Sequence, residues 1–284
     1  MEPAASGVAN GKSPNQSRAM RNLPAFLLAS VLSMAVPGVA AASSSPWADV
    51  QGGAVRLVTA GVPDADGMLR AALQIDLKPG WKTYWRDPGD TGVPPAISVT
   101  GASLAGVAYP VPKRFSEEGT VWNGYEAPVS FAVRLKVPDG KAEEIGAHVF
   151  LGICQTICIP LQAELKLDPG ADPSNPEDAA IVAQAFEAVP QPARPGFRLA
   201  EAKQEKEAFA VAAELPLPGG AAELFVAAPQ GYSFGPPTRL ADRNGKAAFS
   251  VPVYERPAGN GSGSSAAYTL VQNGDAVEGE VSLP

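Results

Sequence analysis

Leu151-Gly-Ile-Cys-Gln-Thr-Ile-Cys-Ile-Pro-Leu161 decides how the chain is read, because it holds Cys154 and Cys158, the two cysteines of the sequence. Before the pair, Ala147, Val149, Leu151 and Ile153 share one parity; after it, Ile159, Leu161, Ala163, Leu165 and Leu167 share one. Side chains of a strand alternate between faces, so each set marks a core-facing side. The pattern predicts a β-hairpin with Gln155-Thr-Ile157 as its loop. Both cysteines fall on the opposite parity, with His148, Phe150, Gln162, Glu164 and Lys166, and so face each other away from the core. Directly opposed residues have Cα atoms about 4.5–5.5 Å apart, within reach of a disulfide. The same register sets Gly152 opposite Pro160 and His148 opposite Glu164.

Working outward, the same alternation recurs. It runs through Val55 and Leu57, through Leu69, Ala71, Leu73, Ile75 and Leu77, and through Val129, Phe131, Val133, Leu135 and Val137. Ile97–Val99 and Val107–Tyr109 read as shorter strands. Two segments break the pattern. Trp81-Lys-Thr-Tyr-Trp-Arg-Asp-Pro-Gly-Asp-Thr-Gly-Val-Pro-Pro95 and Pro112-Lys-Arg-Phe-Ser-Glu-Glu-Gly-Thr-Val-Trp-Asn-Gly-Tyr125 mix aromatics with turn formers, and are read as packed loops. Residues 43–53 read as a flexible leader.

Past the hairpin, Asp168–Pro176 is a polar break. Asn175 caps a short helix with Pro176 first and Glu177 and Asp178 in its first turn, and Ile181, Ala185 and Val189 form its apolar stripe. From Phe197 the β pattern returns, at Phe209–Leu217, Ala222–Ala227, Ala247–Val253, Tyr268–Val271 and Val277–Leu283. The chain of 284 residues, with 29 Gly, 29 Pro and 18% charged residues, is therefore expected to be all-β. The expected order is a signal peptide over 1–42, a β-sandwich over 43–168, a linker with a short helix over 169–195, and a second, smaller β domain over 196–284.

The address comes from the N-terminus. Arg18 and Arg21 precede an apolar run, Leu23–Val36, too short for a membrane span, and Val39-Ala-Ala-Ala42 supplies small residues for cleavage. This predicts export to an oxidising compartment, the periplasm, without stable membrane insertion after cleavage. A net charge of -7 and the lack of a basic stripe argue against a nucleic-acid partner.

Three chemistries fit the cysteine pair. A structural disulfide closing so short a loop contributes only about 2 kcal/mol through the unfolded state, and joins strands the hairpin already holds. Two thiolates with His148 would suit Cu(I), but the register puts His148 well down the ladder. Thiol–disulfide exchange suits a cross-strand pair beside a tight turn that a partner can reach. The sequence calls for no cofactor and assigns no metal ligands.

Taken in order, Gly80–Pro95, Pro112-Lys-Arg-Phe115, Gly124-Tyr125 and Gly152-Ile-Cys-Gln-Thr-Ile-Cys-Ile-Pro160 resemble the periplasmic N-terminal domain of the DsbD and ScsB membrane thiol reductases, over about residues 50–168. The resemblance implies an immunoglobulin-like β-sandwich whose cysteines relay electrons from a membrane thiol reductase to periplasmic thioredoxin-like oxidoreductases. By motif position Cys158 is the nucleophile and Cys154 the resolving thiol. Tyr84 matches a tyrosine lining the family's site, and Phe115–Gly119 a cap loop that covers the disulfide with an aromatic ring. Glu117 and Glu118 in that loop would raise the thiol pKa by like-charge repulsion. The spacing of three residues follows the ScsB branch. The sequence contains no membrane reductase or thioredoxin-like domain, so the expected donor is a separate protein. A protein-disulfide reductase activity is thus an open expectation, beside a non-catalytic interaction module and a Cu(I)-binding protein.

Overall fold

A computed structural model describes residues 11, 43–89, 91–117, 119–138, 143–243, 245–257 and 264–284. The expected signal peptide, apart from Gly11, and Glu118 lie outside the described residues. Ala40–Pro284 form one compact unit, and its architecture is nearly all β.

The first half carries β1 (Ala48–Val50), β2 (Gly53–Ala60), β3 (Met68–Leu77), β4 (Lys82–Gly89), β5 (Ala96–Thr100) and β6 (Ser103–Ala108). It continues with β7 (Lys113–Glu117), β8 (Thr120–Tyr125), β9 (Val129–Lys136), β10 (Ile145–Cys154) and β11 (Cys158–Leu167). One sheet runs β1-β2-β3-β9-β6. The other runs β11-β10-β4-β8-β7, with β5 also on β10. Their inner faces enclose a core in which Leu57, Leu73, Phe131, Leu135, Val149, Leu151, Ile153, Leu161 and Leu165 are buried. These are the residues whose alternation marked them as core, and face-to-face packing of two antiparallel sheets is the immunoglobulin-like arrangement.

Helix α1 (Pro176–Glu187) follows. Asn175 accepts from the backbone N–H groups of Glu177 and Asp178, as its capping position requires. The buried apolar side chains are Val182 and Ala185, with Ile181, Phe186 and Val189 partly buried. They lie against Val58, Ala72, Ala108 and Ala132, so small residues on the outer face of the first sheet give the helix a seat.

The second half holds β12 (Gln191–Pro192), β13 (Arg198–Gln204), β14 (Ala208–Glu214), β15 (Glu223–Ala227) and β16 (Ser233–Phe234). Then come β17 (Thr238–Arg243), β18 (Lys246–Glu255), β19 (Ser265–Gln272) and β20 (Asp275–Ser282). They form sheets ordered β12-β20-β19-β15 and β13-β14-β18-β16, with β17 also on β18. Phe209, Phe249, Tyr268 and Leu270 are buried between them.

Three expectations change. Residues 43–50 are no loose leader. Ser44 bridges Val58, β1 pairs with β2, and the Ser43 hydroxyl donates to the buried Asp178 carboxylate at 2.5 Å. Short hydroxyl side chains let this segment lie buried with its polar groups satisfied, which an apolar pattern does not reveal. The segment after Trp81 is a strand, β4, with a register shift between Tyr84 and Gly89. The segment from Lys113 to Tyr125 is a hairpin, β7-β8, in which Phe115 pairs with Trp122.

Candidate functional site

The β10-β11 hairpin has the register that alternation predicts, from Ile145 opposite Leu167 to Gly152 opposite Pro160 and Cys154 opposite Cys158. The backbone N–H of Gln155 donates to the Ile157 carbonyl across the turn. The cysteines form a disulfide, with Cα atoms 4.0 Å apart.

Outward parity does not make the two sulfurs equally open. Cys158 is exposed, whereas Cys154 is 7% exposed. Cys154 is covered from outside the sandwich core by Tyr84 and Trp122, with Phe115 packed against them. The cover is a separate aromatic cluster. Tyr84 meets Trp122 edge-on at 5.8 Å between centroids, and Phe115 stacks on Trp122 at 4.0 Å. These are the two favoured aromatic geometries. Beside the hairpin tip the Ile157 side chain is 68% exposed.

Tyr84 is the polar centre of the site. Its hydroxyl lies 3.2 Å from the Cys154 sulfur and 3.3 Å from the Cys158 sulfur. Disulfide sulfurs carry no hydrogen, so the phenol is the donor. Burial, and secondarily the charge of Glu117, push the phenol pKa above its ordinary value of 10.0. It therefore stays protonated at neutral pH. Its ring is held by two glycines: a β-carbon at Gly152 would lie 3.0 Å from it, and one at Gly92 within 2.6 Å. Gly92 has a φ of +114°, which L side chains rarely adopt.

A groove of about 670 Å³ opens on the disulfide, lined by Lys82, Tyr84, Thr91, Glu117, Thr120, Trp122, Cys154, Gln155, Thr156 and Cys158. Glu117 is ion-paired with Lys82, whose ammonium also sits 5.0 Å from the Trp122 ring centre. Phe115 is not among the described lining residues and reaches the site through Trp122. The covering element is thus a β-hairpin, and the ring lining the groove is Trp122, which the sequence reading did not single out. Its signal was available: in a hairpin turning at Glu117–Thr120, Phe115 and Trp122 are directly opposed. His148 lies six pairs down the ladder from Cys154, 58% exposed and 4.0 Å from Glu164. A third ligand for a copper ion does not come from that position. No cluster of metal-ligating side chains occurs among the described residues. Among the same residues no helix is long and apolar enough to cross a membrane.

Comparison with known proteins bears on this geometry. Residues 56–169 match the family described as thiol:disulfide interchange protein DsbD, N-terminal. Among solved structures, the N-terminal periplasmic domain of ScsB from Proteus mirabilis superposes with a TM-score of 0.70 at 22% identity. That match covers 86% of this chain and 100% of the other. It therefore extends beyond the segment matched by the family and into the second half of the chain. No curated protein sequence matches.

Proposed function

We propose that the chain, whose residues 56–169 match the DsbD N-terminal family of thiol:disulfide interchange proteins, relays electrons between thiol proteins in the periplasm. Its donor in this reading is a membrane thiol reductase, and its acceptors are thioredoxin-like oxidoreductases. The single observation that carries the reading is the unequal exposure of the disulfide: Cys158 is exposed beside an exposed isoleucine, Cys154 lies under Tyr84 and Trp122, and the phenol is within hydrogen-bonding distance of both sulfurs.

The chemistry follows from that asymmetry. A deprotonated thiol of the donor attacks the Cys158 sulfur. The new intermolecular S–S bond forms as the Cys154–Cys158 bond breaks, and the electron pair stays on Cys154. Burial makes a free thiolate there costly, and the Tyr84 hydroxyl offsets the cost by donating to it until a proton arrives through the groove. The donor's second thiolate then attacks its own sulfur in the mixed disulfide, releasing Cys158. The donor dithiol has become a disulfide, and the pair has gained two electrons and two protons. The reverse sequence, opened by the Cys158 thiolate, delivers them to an acceptor disulfide.

Purified thioredoxin is a direct probe. The intact chain exchanges with it, Cys154→Ser accumulates a mixed disulfide through Cys158, and Cys158→Ser accumulates far less. Resistance of the wild-type disulfide to reduced thioredoxin, with a potential below the roughly -300 mV of inert secreted disulfides, would sink the reading.

A further inference from the structure

Strands β4, β8 and β7 lie side by side and have two faces. The front carries Tyr84, Trp122 and Phe115 over the disulfide. The back belongs to the core of the first sandwich and, in part, meets β15 of the second. From β4, Trp85 is fully buried and meets Phe225 of β15 edge-on at 6.0 Å. The Asp87 carboxylate accepts the backbone N–H of Ala228 at 2.8 Å. From β7, the Arg114 guanidinium donates to the Leu224 carbonyl at 2.5 Å and lies 4.7 Å from the Phe225 ring centre. Phe225 is 1% exposed and belongs to the core cluster of the first sandwich, although its strand belongs to the second.

Arg114 and Phe115 are adjacent residues on one strand, so their side chains leave it on opposite sides. Arg114 is tied to the second sandwich while Phe115 stacks on the ring that lines the disulfide groove. Among the described residues β7 is also the last strand of its sheet, paired to β8 alone. Such an edge hairpin, with Glu117 and Gly119 exposed at its end, is the kind of element that opens locally unless something holds its back. The Arg114–Leu224 bond and the Phe225 ring supply that hold.

We propose that the second sandwich is a brace for the aromatic cover, with Arg114 and Phe225 as positioning residues that set how often Cys154 is uncovered. This gives residues 196–284 a part in the exchange reaction and rests on the exchange reading above. The brace acts on a preformed cover through Arg114 and Phe225 alone.

The test uses the full chain and dithiothreitol, a reductant too small to need a docking surface. Arg114→Ala removes the tie, and Phe225→Leu loosens the seat while nearly conserving volume, so it serves if the arginine variant fails to fold. Each is expected to speed reduction of the disulfide about tenfold or more, because an uncovered Cys154 departs as a solvated thiolate and not a buried one, with faster amide exchange in residues 113–125. The acceleration should persist at low urea with little urea dependence, because a local opening exposes little surface. An unchanged reduction rate in both variants overturns the brace. So does an acceleration that rises steeply with urea, because reduction then follows global unfolding. Thioredoxin exchange is read separately: its loss with an intact dithiothreitol effect would sink the relay and leave the brace standing.

Discussion

The tip and the base of the β10-β11 hairpin show the same face of the same ladder to opposite effect. At the tip, Cys154 is buried under a tyrosine and a tryptophan. At the base, His148 and Glu164 occupy the same parity and are 58% and 63% exposed. Neither end differs in strand geometry. What differs is the neighbour: beside the tip, β4 and the β7-β8 hairpin bring aromatic rings onto the sulfur, while beside the base β5 leaves His148 and Glu164 exposed. Parity in a strand tells which side of the sheet a residue leaves from, and a neighbouring element decides whether that side is wet.

Experiments can break or sharpen this contrast. The largest effect is expected from Trp122→Ala, which removes a buried indole from the cover. A loss of about 3–5 kcal/mol in urea unfolding is the range for such truncations, and a loss below about 1 kcal/mol would mean the cover is not packed. Gly152→Ala comes next. Its new methyl would lie 3.0 Å from the Tyr84 ring, at a cost of about 1–3 kcal/mol. Reducing the disulfide should lower stability by about 2 kcal/mol, from the loop it closes.

A pH series adds a smaller effect at the tip. The folded-state pKa of Tyr84 is raised above 10.0. The stability linked to it is fully present below pH 10.0 and is lost as pH rises through the raised value. Tyr84→Phe should abolish that alkaline loss, as read from unfolding midpoints across the range. The smallest change is expected from His148→Ala, within about 0.5 kcal/mol, because the Glu164 pair is exposed.

The sequence made one side of this contrast easy to read. The register of β10 and β11 was legible because core residues alternate without interruption on both strands and because the loop length leaves one pairing that opposes the cysteines. Leu69–Leu77 and Val129–Val137 were legible for the same reason. Lys82–Gly89 and Thr120–Tyr125 were not. In β4, Thr83, Tyr84 and Trp85 are buried in succession, and in β8 so are Trp122, Asn123, Gly124 and Tyr125. A strand covered on both faces has no polar alternation to betray it. Pro88, Gly89 and the register shift in β4 disguised it further. The tyrosine beside the sulfurs was found through motif resemblance, while Trp122 needed the hairpin pairing. The helix start was legible from Asn175 and Pro176, but its seat on the first sheet depends on the small residues Ala72 and Ala132, which carry no periodic signal of a docking face.

The unequal cover of the two sulfurs has one further consequence. A symmetrical disulfide gives an incoming thiol two regioisomeric adducts, one at each end. In the proposed exchange, attack falls on the more exposed Cys158, and Cys154 is then the departing half of the bond. The regiochemistry of that proposed handover is set by an indole and a phenol, before any partner's own specificity is brought to bear.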